Sequence, residues 1–371
     1  MILLLIIAFA SLIALMIIHE FGHFIIAKKF GVKVEEFGIG YPPRLFGKKF
    51  GETLYSVNLI PLGAFVKIYG EEGGVDDLRS FANLAIWKRI LIVLGGVLAF
   101  WIASIIIFSG VFMIGADVPV GDQDIAGFSN TKIQVTAIAP NSPAETGGLK
   151  KGDTIIELQT ASEVVRLVKI ADFQNFTQEY KGTPIILIVH RDGKDIALGA
   201  TPRTQHPENE GPLGVSLERM VTVVEKAAWY EAPIKGAVFT WDVTVKAVQG
   251  IFDVFANLFS GKGVPKGAEL AGPIGITIFL ARAADYGVGF FLYFIGSISV
   301  FIALFNIFPI PALDGGKLLF LLIEKVIKRP VSVKLEQTLT VTCFFLLIAM
   351  SIFVTIKFDI PRLTEFWKAG L

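Results

Sequence analysis

The chain contains little cysteine, little charge and little histidine. Its single cysteine, Cys343, excludes an intrachain disulfide framework. Charged residues make up 18% of the 371 residues, and the net charge is +1. A protein that binds nucleic acid through phosphate contacts needs a basic surface, so no nucleic-acid partner is expected. Only four histidines occur, so two of them at metal-ligand spacing are not expected by chance.

Apolar residues are abundant instead, at 53% of the chain. Crossing the hydrocarbon of a bilayer takes about 20 apolar residues in a helix. The first apolar run lacks a basic start and a small-residue cleavage site, so it is expected to remain as a span. The sequence therefore predicts a multipass α-helical membrane protein with about four transmembrane helices in a lipid bilayer. The predicted spans are Ile2–Ala27, Ile86–Gly115, Gly287–Ile307 and Thr338–Ile356.

Basic residues are concentrated in the connection between the first two spans and in the connection after the third. The positive-inside rule places such connections in the cytoplasm. The N-terminus, the long segment 116–286 and the C-terminus are then expected outside. The basic residues are Lys28, Lys29, Lys33, Arg44, Lys48, Lys49, Lys67, Arg79, Lys88 and Arg89 in the first connection, and Lys325, Lys328, Arg329 and Lys334 in the second.

His19, Glu20 and His23 lie in the first span, in the pentapeptide HEFGH. Residues four apart share one face of a helix, so the two imidazoles can bind one metal ion while the glutamate holds a water molecule. The alternative is a pair of histidines whose hydrogen bonds are satisfied by neighbouring helices. Burying a glutamate and two histidines in hydrocarbon is costly without a shared purpose, which favours a metal site.

The third span ends in a segment that breaks the helix and supplies a carboxylate. Pro309 and Pro311 interrupt the helix, and Asp314 follows them, ahead of two glycines. Asp314 could simply cap the helix that resumes at Lys317. A catalytic zinc ion, however, takes three protein ligands. Asp314 is therefore the candidate third ligand beside the two histidines.

Between the first two spans, Val34–Gly40 and Thr53–Lys67 are predicted to form strands, in a cytoplasmic-side β-region of about residues 34–69. The apolar stretch Leu59–Phe65 can dip into the membrane. An ordinary cytoplasmic hairpin with glycine turns is the alternative.

From about Asp117 the chain changes to short strand-like pieces separated by turn residues. The pattern over residues 121–217 resembles a bacterial PDZ domain, which would bind a peptide or protein segment by strand addition. An unrelated small β-rich domain is the alternative. The pieces that carry the resemblance are Ile133–Ile138, Asn141–Ala144, Gly147–Leu149, Gly152-Asp153, Thr154–Leu158 and Ile185–Arg191, with a turn at Asp192-Gly193.

The segment after this domain carries an apolar stripe with alternating three- and four-residue steps, which predicts an amphipathic helix. Such a helix can lie on the outer face of the membrane or on the spans. A fifth span is the alternative, although four charged residues weaken it. The stripe consists of Val238, Trp241, Val245, Val248, Phe252, Phe255 and Phe259.

Three motifs together resemble the site-2 protease family of intramembrane zinc metalloproteases. They are HEFGH, the string Asn306–Gly316 with the pattern NxxPxPxLDGG, and Ala271–Gly275 with the sequence AGPIG. The resemblance covers almost the whole chain. It indicates the bacterial branch that carries an external PDZ domain and cleaves anti-sigma factors and signal-peptide remnants. It also implies a bacterial cytoplasmic membrane, with the PDZ domain on the extracytoplasmic side.

The region 34–69 resembles the membrane-associated β-region of this family, whose edge would hold a locally unwound substrate as an added strand. Unwinding is needed because the carbonyl groups of a transmembrane helix are hydrogen-bonded within that helix. The resemblance also implies roles for individual residues. His19, His23 and Asp314 would bind Zn²⁺, and Glu20 would be the general base. Substrate-binding residues are expected to be Asn306, Gly38, Ile39 and Gly40. The second span departs from many relatives, which carry a Gly-Pro and an Asn there. This chain has Gly95-Gly96-Val97-Leu98-Ala99-Phe100 instead.

Four regions are expected: an N-terminal membrane core at 1–116, the PDZ domain at 117–220, an amphipathic linker at 221–285 and a C-terminal membrane core at 286–371. The predicted function is intramembrane cleavage of single-span membrane proteins. One alternative is a catalytically inactive membrane protein whose PDZ domain binds partners, which the intact motif residues argue against. The other is a metal transporter, which would need more polar residues in the second and fourth spans.

Overall fold

A computed structural model describes residues 2–71, 77–120, 131–191, 193–207, 210–260 and 271–368. The chain divides into two compact units. The first, here called the membrane unit, consists of Met1–Ile114 and Lys226–Leu371. The second, here called the inserted unit, is Gly115–Glu225.

The described residues form ten α-helices and nine strands. In addition, a short 3₁₀ helix covers Phe81–Asn83, and a π-helical turn covers Thr355–Asp359. The elements are α1 (Ile2–Lys29), β1 (Val34–Phe50), β2 (Thr53–Ile68), α2 (Ile86–Ile114), β3 (Ala116–Val120), β4 (Thr131–Ile138), α3 (Pro143–Thr146), β5 (Thr154–Gln159), β6 (Val164–Arg166), α4 (Ile170–Glu179), β7 (Ile185–Arg191), β8 (Lys194–Ala200), β9 (Val215–Val224), α5 (Ala232–Phe259), α6 (Pro273–Asp285), α7 (Val288–Ile307), α8 (Asp314–Ile327), α9 (Val333–Val354) and α10 (Ile360–Lys368).

Four helical segments are long and apolar enough to cross a membrane, as predicted. They are Ile2–Lys29, Ile86–Ile114, Val288–Ile307 and Val333–Thr364. The fourth begins earlier than predicted, because Lys334 and Glu336 interrupt the apolar run without ending the helix. None of the residues of α9 is buried, so most of its surface is free to contact lipid.

Close backbone approach fixes the crossing of α1 and α2. A Cβ atom added at Gly22 would lie 2.2 Å from the carbonyl oxygen of Gly95, so both positions require glycine. On its other side α2 is joined to α7 by side-chain hydrogen bonds. The Ser299 hydroxyl donates to the carbonyl of Phe100 at 2.9 Å. These contacts hold the middle of α2 against the HEFGH segment of α1.

Strands β1 and β2 fold back on each other, so that each contributes two segments to one small sheet. Residues 36–39 pair with 64–67 on one side and with 54–57 on the other, and 44–50 pair with 53–58. The outer edges are therefore the segments 64–68 and 44–50. Gly38 and Ile39, which were predicted to bind substrate, have strands on both sides of their backbone. Their substrate-binding role stays a prediction.

Helix α5 packs on α2 through small residues and Phe239, which contacts Phe108 and Phe112, rather than through its apolar stripe. A Cβ atom at Gly236 would lie 2.5 Å from Ser109 Oγ, which shows how closely the two helices approach. The linker also contains a second helix, α6, that the stripe did not predict. The contact ridge is Gly236, Thr240, Thr244 and Ala247. The exposed stripe residues are Val238, Trp241, Val245, Val248, Phe252 and Phe255, while the side chain of Phe259 lies outside the described part.

The inserted unit contains one sheet with the strand order β3-β9-β4-β5-β7-β8, and β6 pairs with β5. The three strands expected from the sequence, Ile133–Ile138, Thr154–Leu158 and Ile185–Arg191, fall within β4, β5 and β7. Buried side chains from these strands and from α4 form a separate hydrophobic core. Residues 121–130 and Asp192, which the sequence analysis assigned to the same domain, lie outside the described residues.

Candidate metal centre

Helix α1 presents both histidines of HEFGH on the side that faces α2 and α8. The Nε2 atoms of His19 and His23 are 3.2 Å apart. Each Nε2 also lies 3.4 Å from Oδ2 of Asp314. These three are the one group of His, Cys, Asp or Glu ligands close enough to share a metal ion among the residues that the structure describes.

Asp314 reaches the histidines because the chain turns sharply between α7 and α8. Helix α7 ends at Ile307, and α8 begins at Asp314. A Cβ atom at Gly315 would lie 2.1 Å from the carbonyl oxygen of Ile307, so only glycine permits this turn. The N-cap of α8 is Leu313, without a side-chain cap. Asp314 Oδ2 is buried and has no hydrogen-bond partner among the described residues, as expected for a metal ligand rather than a helix cap.

Helix α2 fixes the orientation of the two imidazoles. Nδ1 of His23 lies 2.8 Å from the carbonyl oxygen of Ile92, which makes that nitrogen the donor and leaves Nε2 free for a metal. The ring of His19 stacks on Phe100 with centroids 4.7 Å apart. A Cβ atom at Gly96 would lie 2.4 Å from His23 Nε2 and 2.4 Å from His19 Cε1. Gly96 therefore provides the space that both rings occupy.

These three supporting residues were not predicted as part of the site. The sequence showed Gly95-Gly96 as a departure in the second span, and its apolar surroundings gave no sign of a ligand-orienting role. Ile92, Gly96 and Phe100 support the site only because the face of α2 on which they lie meets α1. Residue spacing within one helix does not show which face that is.

The donor atoms fit a tetrahedral zinc ion. Ligand atoms at about 2.0–2.1 Å from such an ion are about 3.3 Å from one another, close to the separations of 3.2, 3.4 and 3.4 Å seen here. Two nitrogens and a carboxylate oxygen suit zinc, whereas magnesium and calcium prefer oxygen ligands alone. Three protein ligands also leave one tetrahedral position open, as a catalytic site requires.

A cavity of about 1020 Å³ adjoins the ligands and is lined by His19, Glu20, Asn306 and Asp314. The backbone N–H of Val66, in the edge segment 64–68, interacts with the Glu20 carboxylate. Glu20 and Asn306 thus line the same cavity as His19 and Asp314.

Gly38, Ile39 and Gly40 are absent from the described lining of this cavity. The carbonyl of Gly40 already accepts a hydrogen bond from the Asn58 side chain at 3.1 Å. The interior position of residues 36–39 in the sheet, described above, also removes their free backbone edge. The sheet presents its segment 64–68 to Glu20 instead.

The wall of the cavity farther along α8 is charged. Lys317 forms an ion pair with Glu71 at 2.6 Å, and Arg89 forms one with Glu324. Charged side chains hold water in their neighbourhood, so this wall can bring water into a cavity within apolar helices.

The chain is similar along most of its length to one family of peptidases. The model of Peptidase family M50 matches residues 7–350. A relative in Clostridium perfringens, named as a candidate zinc metalloprotease, is 32% identical over 344 residues, or 93% of this chain and 95% of that relative. A similarly named relative in Campylobacter jejuni is 30% identical over 366 residues, or 94% and 91%. Zinc metalloprotease RasP of Geobacillus kaustophilus is 24% identical over 423 residues, or 92% and 94%.

Proposed function

Because the chain belongs to peptidase family M50, the site-2 protease family that its motifs predicted, we propose that it is a zinc endopeptidase acting within the membrane. Its substrates are single-span membrane proteins of the anti-sigma-factor or signal-peptide-remnant type, cut within or near the transmembrane segment. The observation that carries the proposal is the triangle of His19, His23 and Asp314 donor atoms beside Glu20.

Each polar residue of the site has a separate role in this proposal. His19, His23 and Asp314 hold the zinc ion. When bound, zinc supplies a Lewis acid that polarises the scissile carbonyl and lowers the pKa of water. Glu20 removes a proton from the attacking water and returns it to the leaving amine. Asn306, in the last turn of α7, orients the substrate in the same cavity.

The substrate segment binds as an added strand on the edge 64–68. This edge has no partner strand on its outer side among the described residues, and its Val66 N–H points to Glu20. A transmembrane helix must unwind before its carbonyls can be attacked, and pairing with an edge strand replaces the hydrogen bonds that unwinding breaks. In this proposal the edge 64–68, rather than Gly38, Ile39 and Gly40, pairs with the substrate backbone.

The charge distribution supports an orientation for the membrane unit. Basic residues follow α1 and α8, and by the positive-inside rule they support a cytoplasmic location for those ends. At about 1.5 Å per residue, His23 and His19 lie about 7 and 13 Å along α1 from Lys28. The reaction then takes place in the cytoplasmic half of a bacterial cytoplasmic membrane, and the inserted unit is extracytoplasmic.

The inserted unit is a PDZ domain that binds a peptide or protein segment. A groove of about 510 Å³ runs between α4 and the start of β9, after the loop Gly211–Gly214. Residues 215–218 pair with β4, whereas β3 pairs with 219–224, so residues 215–218 have no strand on their other side among the described residues. An extended segment can add on that side.

The decisive experiment compares two variants purified in detergent. Glu20→Gln should keep stoichiometric zinc while turnover falls by at least roughly 10²–10⁴-fold, the contribution of general-base catalysis. Asp314→Ala should weaken zinc binding itself, because it removes one of only three protein ligands. The measurements are metal content and cleavage of a panel of single-span substrates. Wild-type turnover in Glu20→Gln, or unchanged zinc affinity in Asp314→Ala, would contradict the assigned roles.

A further inference from the structure

Tyr41 lines the same cavity as Glu20 and the metal ligands His19 and Asp314 but has no assigned role. Of the described tyrosines, it alone lines the metal-site cavity. Its ring stacks on Phe65 with centroids 6.1 Å apart and planes 16° from parallel. Phe65 belongs to the edge segment 64–68. Tyr41 therefore lies next to the backbone edge on which the substrate would bind.

Gly63 of β2 lies close to both this tyrosine and α1. A Cβ atom at Gly63 would lie 2.9 Å from Met16 and 3.5 Å from the Tyr41 ring. Met16 precedes His19 by about one helical turn. Tyr41 also follows Gly40, whose positive φ of 76° and close approach to the Ile60 carbonyl permit no larger side chain. The ring thus has Phe65 and Gly63 as neighbours.

The Tyr41 hydroxyl is available as a donor. It forms no hydrogen bond with the residues that the structure describes, and the side chain is 43% exposed. Burial of the ring, and then the charge of Glu20, raise the pKa of the Tyr41 phenol above its usual value. The phenol therefore keeps its proton across the range in which a peptidase works.

We propose that Tyr41 is a catalytic residue whose hydroxyl donates a hydrogen bond to the scissile carbonyl oxygen as that oxygen becomes negative. The proposal rests on the proposed function. Water adds to the carbonyl carbon, the π electron pair moves to oxygen, and Glu20 takes the water proton. The electron pair on oxygen then re-forms the carbonyl double bond, the C–N bond breaks and the leaving amine receives the proton from Glu20. Tyr41 retains its own proton throughout, so it stabilises the charge without being consumed.

A donor of this kind acts on the transition state more than on the bound substrate. Tyr41→Phe removes the hydroxyl and keeps the ring that stacks on Phe65. In the full-length, zinc-loaded enzyme we expect unchanged zinc content and melting temperature. kcat should fall roughly 10²-fold, the lower end of the loss for one oxyanion donor, while KM stays near the wild-type value.

The second readout is the affinity of a phosphinic peptide, whose tetrahedral group resembles the transition state. Its affinity should fall by the same factor as kcat/KM in Tyr41→Phe. Tyr55→Phe is the matched control, because Tyr55 lies in the same sheet, is 37% exposed and does not line the cavity. That variant should match the wild type in both measurements.

Three results would overturn the role of Tyr41 alone: wild-type turnover in Tyr41→Phe, loss of zinc, or a lower kcat with unchanged affinity for the phosphinic peptide. A wild-type protein that binds zinc and cleaves no substrate would overturn the proposed function as well. Zinc binding and cleavage by the wild type therefore distinguish failure of the Tyr41 role from failure of the proposed function.

Discussion

At the scale of single residues, Gly96 is expected to control zinc binding without being a ligand. A methyl group at this position would lie 2.4 Å from both imidazole rings. The backbone of α2 cannot easily shift to relieve this clash. Gly96→Ala should therefore displace the histidines. We expect zinc affinity to fall about 10–100-fold, the usual loss when an outer contact that orients metal ligands is removed. Competition with a fluorescent chelator measures it.

Gly110→Ala is the control for this prediction. Gly110 lies in the same helix, and nothing lies within 4 Å of a Cβ atom added there. Both substitutions bring the same gain in helix propensity, about 1 kcal/mol, so a difference between them reports contact with the histidines. Equal zinc affinity in the two variants would show that the rings can move aside without loss.

The sequence predicted the residues that carry the chemistry better than the residues that support them. His19 and His23 could be paired by their helical spacing, and Asp314 by the proline break and glycines around it. Gly96, Phe100 and the Ile92 carbonyl act across a helix crossing. A contact between two helices depends on how each is rotated about its axis, and the spacing of residues along one helix does not specify that rotation.

At the scale of elements, the folded-back sheet predicts which edge receives the substrate. Facing residues of neighbouring strands have Cβ atoms about 5 Å apart, so cysteines placed there can form a disulfide. The background is Cys343→Ser with Glu20→Gln, which removes the natural thiol and prevents turnover. A cysteine near the scissile bond of the substrate should cross-link to Lys67→Cys on the edge 64–68.

Phe46→Cys is the matched control on the opposite edge. Phe46 is 75% exposed and lies in the segment 44–50, so its thiol is at least as accessible as that of the test variant. Cross-links are measured by non-reducing electrophoresis after mild oxidation. Equal or greater cross-linking at Phe46→Cys would place the substrate on the wrong edge for attack by Glu20.

The strands of this sheet were predictable, but the strand order was not. Alternating apolar residues and turn glycines indicated two strands near 34–40 and 53–67. The pairing of each strand with two segments of the other makes residues 36–39 interior. Alternating apolar residues show which face of a strand is buried. Whether the strand lies at the edge of a sheet depends instead on which other strands pair with it. The packing face of α5 could not be predicted from its apolar stripe for a similar reason. Small residues on another face permit a closer approach to α2 than the stripe does.

At the scale of the whole molecule, the inserted unit is expected to be removable. In the membrane unit the backbone N–H of Ala227 donates to the carbonyl of Phe112 at 2.7 Å, so the chain segments that flank the insertion already meet. A short glycine linker can therefore replace Gly115–Glu225 without moving α2 or α5. Zinc content and cleavage of substrates with small outer domains should be retained.

The same deletion tests whether the inserted unit restricts access. If it acts as a size filter, the deletion variant should cleave single-span substrates whose bulky outer domains protect them from the full-length enzyme. Cleavage of each substrate is compared before and after its outer domain is shortened, with Glu20→Gln in the deletion background as the inactive control. A folded, zinc-loaded deletion variant that cleaves nothing would show that the unit takes part in catalysis. One that cleaves the small substrates but still rejects the bulky ones would place the size limit within the membrane unit itself.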